Sequence, residues 1–182
     1  MNLCIGFLEL NSIAKGVEAA DAILKAAETK LVFAKAGCPG KYYILFSGEV
    51  AAVTASLESG CAIGGSHVVD HVVIPSVHPM VLSAINQAVE PAPVNALGVM
   101  EFFSVTAAVY AADAAVKAAE VDLMDVRLGT GIGGKSFVIL SGDVAAVHEA
   151  VQAGVRTASE QGLLVSQVVI PNPKAEIFHS LL

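Results

Sequence analysis

Apolar and polar positions along this chain form short segments that predict strands and helices in a regular order. The predicted elements of the first half are a strand over 3–10, a helix over 14–27, strands over 31–36 and 42–46, a helix over 49–57, a strand over 67–74 and a short helix after Pro79. The first helix follows a hydroxyl cap candidate, Ser12, and its apolar residues recur at helical spacing, at Ile13, Val17, Ala20 and Leu24. The order β-α-β-β-α-β is that of the ferredoxin-like α+β fold, which hosts many functions and indicates none by itself.

The second half of the chain repeats the first. The matched segments are, in pairs, Lys25-Ala26-Ala27-Glu28 with Lys117-Ala118-Ala119-Glu120, Ser47-Gly48-Glu49-Val50-Ala51-Ala52-Val53 with Ser141-Gly142-Asp143-Val144-Ala145-Ala146-Val147, and Val73-Ile74-Pro75 with Val169-Ile170-Pro171. Two copies are too few for a solenoid, so each copy is predicted to be a small domain. We place the domains over 1–90 and 94–182, joined at the stiff segment Glu90-Pro91-Ala92-Pro93.

Composition and charge narrow the classes of function. The chain is 55% hydrophobic and 5% aromatic, so we expect a core of small side chains and apolar surface left over for contacts between subunits. A net charge of −7 argues against a nucleic-acid partner, which requires a basic surface. Charges interrupt every apolar run before the roughly 18 residues of a membrane span. With no signal-peptide pattern and three cysteines, we expect a cytoplasmic protein without structural disulfides.

One segment of the second copy, Gly129-Thr130-Gly131-Ile132-Gly133-Gly134-Lys135-Ser136, matches the phosphate-binding P-loop pattern. That site needs a helix directly after the loop, because backbone N–H groups and the helix dipole bind the phosphates. The following residues, 136–140, instead predict a strand. We therefore interpret the segment as a glycine-rich β-β connection whose backbone closely approaches a neighbouring chain or a pore.

Cys38 lies in a turn between two predicted strands, Gly37-Cys38-Pro39-Gly40, where a thiol can be exposed. Cys4, inside the first strand, and Cys61, near the end of a helix, are interpreted as structural. One cysteine cannot hold a metal cluster, and no C-x-x-C motif supplies partners. Judged from the residues alone, Cys38 is either an incidental turn residue or a ligand that symmetry-related copies complete.

The histidines and the acidic residues do not indicate an active site. His67 and His71 are four positions apart, a spacing that suits zinc binding on a helix, but their segment predicts a strand. Glu9 and Glu101 are repeated acids inside strands, and we predict a shared structural role for them, such as bonding a neighbouring backbone. No Ser/His/Asp or paired-carboxylate arrangement is visible, so the chain is predicted not to be an enzyme.

The repeated motifs resemble the bacterial microcompartment shell domain over nearly the whole chain. The residues that carry this likeness are Asp21-Ala22-Ile23-Leu24-Lys25-Ala26-Ala27, Ser47 to Val53, Val73-Ile74-Pro75 and their second copies. The resemblance to tandem-domain members implies a homotrimer that mimics a hexagonal tile, with the β-β loops surrounding a central pore. The pore-lining residues that it implies are Gly37, Pro39, Gly40, Gly129, Thr130, Gly131, Ile132 and Gly133.

Within this family the chain is similar to the iron–sulfur shell proteins of propanediol-utilising compartments. The matching segments are Ile13-Ala14-Lys15-Gly16, Cys38-Pro39-Gly40-Lys41 and Gly131-Ile132-Gly133-Gly134-Lys135. In those proteins the cysteine of the Cys-Pro-Gly loop lines the pore, and three copies bind a [4Fe–4S] cluster on the threefold axis. The resemblance therefore implies that Cys38 is a metal ligand, with one cluster per trimer for electron transfer across the shell. It also implies that one iron has no protein thiolate.

The resemblance implies partners as well. Lys25 and Lys117 match the family's edge lysine, which packs against neighbouring hexagonal shell proteins, and a redox enzyme in the lumen would exchange electrons with the cluster. Two alternatives stay open at this point. One is a shell pore for small metabolites without a cluster, and the other, from a different class, is a ferredoxin-like small-molecule sensor.

Overall fold

Each half of the chain folds into the same order of strands and helices. The structure, a computed structural model, describes residues 3–86, 95–129 and 131–177. The elements of the first half are β1 (Cys4–Leu10), α1 (Ile13–Ala26), β2 (Thr29–Gly37), β3 (Lys41–Gly48), α2 (Val50–Gly64), a 3-10 turn (Gly65–His67), β4 (Val68–Ile74) and α3 (Pro79–Ile85). Those of the second half are β5 (Ala96–Phe102), α4 (Val105–Ala118), β6 (Val121–Leu128), β7 (Ser136–Gly142), α5 (Val144–Glu160) and β8 (Leu164–Pro171).

Each half forms one four-stranded antiparallel sheet, in the order β2-β3-β1-β4 and β6-β7-β5-β8. The predicted ferredoxin-like α+β fold is therefore confirmed in both copies. The predicted linker, residues 90–93, lies outside the described residues, and the predicted domain boundaries stay a prediction. None of the described helices is long and apolar enough to cross a membrane.

The two compact units do not follow the sequence repeat at every point. One unit lies within residues 1–77 and includes 129–134, and the other lies within 78–128 and 135–182. Helix α3 therefore belongs to the second unit, where it packs against α4 and β6. The loop between β6 and β7 belongs to the first unit. Each unit thus includes one segment that the sequence repeat assigns to the other copy: α3 in the second unit and the β6–β7 loop in the first.

Helix α1 buries a different face from the one that its apolar spacing indicates. The predicted cap is confirmed, because the Ser12 side chain accepts a hydrogen bond from the Lys15 N–H. The buried residues of the helix are Gly16, Ala19, Ala20 and Ile23. In contrast, the predicted apolar stripe is largely exposed, at 47% for Ile13, 54% for Val17 and 41% for Leu24. The small residues face the core because they allow α1 to approach its neighbours closely.

Helix α2 runs to Gly64 and so passes the predicted end at residue 57. Gly60 does not stop it, and Gly64 is its last residue; both glycines are buried. A Cβ on Gly60 would lie 2.6 Å from Ile23 Cγ1, and one on Gly64 would lie 2.7 Å from Val68 Cγ2. The glycines therefore allow close packing, that of Gly60 against α1 and that of Gly64 against β4.

Candidate functional site

The Cys38 turn closes the hairpin between β2 and β3. The Gly40 N–H donates to the Gly37 carbonyl at 3.0 Å, and Gly40 has a φ of +88°, a left-handed conformation that favours glycine. Pro39 and Gly40 are exposed, and Cys38 is partly buried. The turn therefore presents Cys38 at the end of the hairpin in a defined backbone conformation.

Tyr43 supports this turn from within the sheet. Its side chain is fully buried, and its hydroxyl donates to the Cys38 carbonyl at 3.3 Å. Burial raises the pKa of the Tyr43 phenol, and the charges of Glu9 and Cys38 raise it further, so the hydroxyl stays protonated and able to donate. The ring occupies the space that a Cβ on Gly37 would need, which explains glycine at that position.

The backbone of the glycine-rich loop lies directly against the Cys38 turn, within the first unit. A Cβ on Gly134 would be 2.5 Å from Pro39 Cδ and 2.7 Å from the Cys38 carbonyl oxygen. The interpretation of these glycines as points of close backbone approach holds for Gly134, whose partner is the turn of the first copy, whereas nothing lies within 4 Å of a Cβ on Gly131 or Gly133. Strand β7 begins at Ser136, so the helix that a phosphate-binding P-loop requires is missing, as predicted.

A lysine joins this loop to the first strand. Lys41 Nζ lies 2.6 Å from Glu9 Oε1 and donates to the Gly134 carbonyl at 3.3 Å. The Glu9 side chain is 0% exposed, and that of Lys41 is 16% exposed. Glu9 and Lys41 are diagonal neighbours on β1 and β3, because Glu9 is paired with Tyr43. The ion pair therefore holds the end of the Cys38 hairpin against its own sheet.

The second copy contains the equivalent lysine–glutamate ion pair, which is more exposed to solvent. Lys135 Nζ lies 2.5 Å from Glu101 Oε1, with side-chain exposures of 44% and 33%. Glu9 and Glu101 therefore share a contact, because each forms an ion pair with a lysine side chain. Both lysines follow a repeated glycine, Gly40 or Gly134, and this repeated Gly-Lys pair was the signal that could have identified them.

The other two cysteines lie outside the turn, Cys4 in β1 and Cys61 in α2. Burial raises the thiol pKa of Cys4, with a further rise from Glu49, and burial followed by Glu58 raises that of Cys61. Both thiols are therefore protonated at neutral pH. Across residues 3–86, 95–129 and 131–177, no three His, Cys, Asp or Glu side chains are grouped to hold a metal ion. The donor chemistry of Cys38 suits an iron–sulfur cluster, but one chain supplies too few donors.

The structure brings together the two loops that contain the predicted pore-lining residues. Both loops lie in the first unit. Gly37, Pro39 and Gly40 flank Cys38, and the second loop contains Gly129, Gly131, Ile132 and Gly133, whereas Thr130 lies outside the described residues. That these residues line a pore stays a prediction.

The two predicted edge lysines lie on helices α1 and α4. Lys25, on α1, is paired with Asp21 at 2.6 Å, and its side chain is 75% exposed. Lys117, on α4, is paired with Asp113 at 2.5 Å and is 43% exposed. Both lysines are accessible on the chain surface, and their contacts with neighbouring tiles stay a prediction.

Replacing Gly134 with alanine is expected to destabilise the chain more than the same change at Gly131. Both residues have a positive φ, +78° and +77°, so both variants incur about 1–2 kcal/mol of backbone strain. Only the Gly134 Cβ would overlap the Cys38 turn, since nothing lies within 4 Å of a Cβ on Gly131. We expect about 1–3 kcal/mol of additional loss for Gly134→Ala from overpacking. Urea unfolding followed by circular dichroism measures both losses, and equal losses would show that the loops do not touch.

Comparisons of the sequence and of the structure with known proteins all find microcompartment proteins. The family described as the BMC domain matches residues 4–77 and 96–173. The bacterial microcompartment shell protein PduT of Citrobacter freundii is 42% identical over 181 residues, covering 100% of this chain and 98% of that protein. A crystal structure of a microcompartment protein from Desulfitobacterium hafniense DCB is 50% identical, with a TM-score of 0.87 and coverage of 98% of this chain and 99% of that one. The fused permuted hexameric shell protein MSM0275 of the RMM microcompartment has a TM-score of 0.67 at 25% identity, covering 87% and 82%.

Proposed function

Since the chain belongs to the BMC-domain family of bacterial microcompartment shell proteins, we propose that it forms a homotrimeric tile in which three Cys38 thiolates bind one [4Fe–4S] cluster. It is a structural protein of a microcompartment shell, and its relatives are shell proteins as well. Membership of the family supports the role in the shell, whereas the cluster is our proposal. The observation that carries it is Cys38 itself, a partly buried thiol at the end of a hairpin.

The residues around Cys38 support a ligand role because they fix its backbone from two sides. Tyr43 donates to the Cys38 carbonyl from within the sheet, and Gly134 lies against the same carbonyl from the second loop. A ligand on a fixed turn needs little reorganisation when iron binds. The bound cluster would supply one-electron transfer between the two sides of the shell. Three thiolates leave one iron for a small ligand or a redox partner in the lumen.

The proposal is tested by reconstituting the purified chain with iron and sulfide under anaerobic conditions. We expect a brown trimer that contains iron and sulfide after the excess reagents are removed. A colourless, iron-free trimer would overturn the cluster and would favour the second candidate, a shell pore for small metabolites. That candidate draws its support from the glycine-rich second loop, which places little side-chain bulk beside the Cys38 turn.

Assembly into sheets should depend on the edge lysines. We expect concentrated protein to form flat hexagonal arrays in electron micrographs, and Lys25→Ala to prevent the arrays without dissociating the trimer. The Lys25 side chain is 75% exposed, so its loss costs the fold little. Lys30→Ala, which removes another exposed lysine, is the control and should leave the arrays intact. Arrays formed by Lys25→Ala as readily as by the unmodified chain would contradict this role of the edge lysine.

A further inference from the structure

The ion pair of Glu9 and Lys41 is largely excluded from solvent and has aromatic neighbours. The Glu9 side chain is 0% exposed and that of Lys41 is 16% exposed. Tyr43 is the strand partner of Glu9, and Phe7 precedes Glu9 by two positions on the same face of β1. Both aromatic side chains are fully buried, with ring centroids 6.4 Å apart. Charges in such surroundings are screened less than charges in water and act over longer distances.

Each charge of the pair is connected to the Cys38 turn through one intervening residue. Lys41 Nζ donates to the Gly134 carbonyl at 3.3 Å, and a Cβ on Gly134 would lie 2.7 Å from the Cys38 carbonyl oxygen. The Tyr43 hydroxyl donates to the same oxygen at 3.3 Å. Burial raises the pKa of Tyr43, and the charges of Glu9 and Cys38 raise it further. The Glu9 carboxylate and the Cys38 thiolate therefore act electrostatically on one hydroxyl.

We propose that Lys41 and Glu9 adjust the reduction potential of the cluster at Cys38, with Lys41 raising the potential and Glu9 lowering it. This inference rests on the proposed function, because it needs the cluster. Reduction by a one-electron donor adds one negative charge beside the Cys38 thiolates. A fixed positive charge nearby stabilises the added charge, and a fixed negative charge opposes it, so the potential follows the net charge around the cluster.

Neither residue is a ligand in this proposal, and both act through their charge. A trimer contains three copies of the pair, so one substitution changes three charges at once. The two charges have opposite effects on the potential, whereas a mere disturbance of the turn has no reason to distinguish Lys41 from Glu9. The sign of each change therefore separates the electrostatic role from a structural one.

Redox titration of the reconstituted trimer, followed by its visible spectrum, measures the two effects. Glu9→Gln removes the negative charge and keeps an oxygen that accepts from Lys41. We expect it to raise the equilibrium constant for reduction about tenfold, which is about 59 mV for a one-electron couple. Lys41→Met should lower that constant by a similar factor. The double variant Glu9→Leu/Lys41→Met, which lacks both charges, should have a potential between those of the two single variants.

The matched control is Glu101→Gln, in the equivalent pair of the second copy. Glu101 and Lys135 are 33% and 44% exposed, so solvent screens their charges, and the control should shift the potential by less than half as much as Glu9→Gln. Shifts of the same sign in Glu9→Gln and Lys41→Met, or equal shifts in Glu9→Gln and Glu101→Gln, would overturn the proposal.

The iron content of each trimer distinguishes a failure of this proposal from a failure of the proposed function. An unmodified trimer without iron would overturn the cluster and the role of both charges together. A cluster in the unmodified trimer whose potential is the same in Glu9→Gln would overturn the role of the charges alone. If Lys41→Met does not fold or does not bind iron, the comparison of Glu9→Gln with Glu101→Gln decides.

Discussion

The Cys38→Ser variant is expected to lose iron and sulfide completely while remaining a trimer. Each copy supplies one turn thiol, so the substitution removes all three proposed protein ligands of the cluster at once. Serine has nearly the same size and keeps the carbonyl that accepts from Tyr43, so the turn itself should persist. Iron and sulfide assays after anaerobic reconstitution, together with the visible spectrum, measure the loss.

The matched control for this variant is Cys61→Ser. Cys61 lies in α2, and burial raises its thiol pKa, so its replacement should leave the iron content unchanged. Brown colour retained by Cys38→Ser would contradict the assignment of the ligand. Equal loss in both variants would point to a general folding defect, which circular dichroism would reveal.

The Lys41→Met variant is expected to lose about 3–5 kcal/mol of unfolding free energy. Its partner Glu9 is 0% exposed, and without Lys41 the buried carboxylate would lose this ion pair. Lys135→Met is the matched control, because the pair of Lys135 and Glu101 is 44% and 33% exposed. Solvent screens that pair, so its loss should cost at most about 1 kcal/mol. Urea unfolding of the two variants provides the comparison.

The double variant Glu9→Leu/Lys41→Met tests the cause of that loss. An apolar pair of similar volume removes the buried charge, so most of the stability lost in Lys41→Met should return. If Lys41→Met and Lys135→Met cost the same, burial of Glu9 would not be the source of the effect. No recovery in the double variant would instead show that Lys41 acts through its bond to the Gly134 carbonyl.

Most of the fold could be predicted from the sequence, because the repeat and the order of its elements are local patterns. The packing of α1 could not be predicted in the same way. Its sequence contains two usable faces, one of small residues and one with Ile13, Val17 and Leu24. Helical spacing reports that a face is apolar but not which neighbour covers it. Helix α2 also extends beyond its predicted end, because Gly60 packs against Ile23 within the helix and does not terminate it.

The proposed ligand of the candidate site, Cys38, could be predicted from the sequence, but the residues that surround it could not. Cys38 is conspicuous in its glycine and proline turn, while Tyr43, Lys41 and Glu9 resemble ordinary strand residues. Their importance follows from the register of β1 and β3, which the sequence does not specify. The inclusion of the 129–134 loop in the first unit is likewise a tertiary effect. Local patterns contain no information on which unit a connecting loop joins.

The ratio of iron to chains tests the central claim most directly. Native mass spectrometry of the anaerobically reconstituted protein reports the number of chains and of iron and sulfide atoms in one particle. A cluster shared by three Cys38 thiolates predicts four irons and four sulfides per trimer, and none in the Cys38→Ser trimer. An iron-free trimer of the unmodified chain, or a cluster held by a single chain, would contradict the claim.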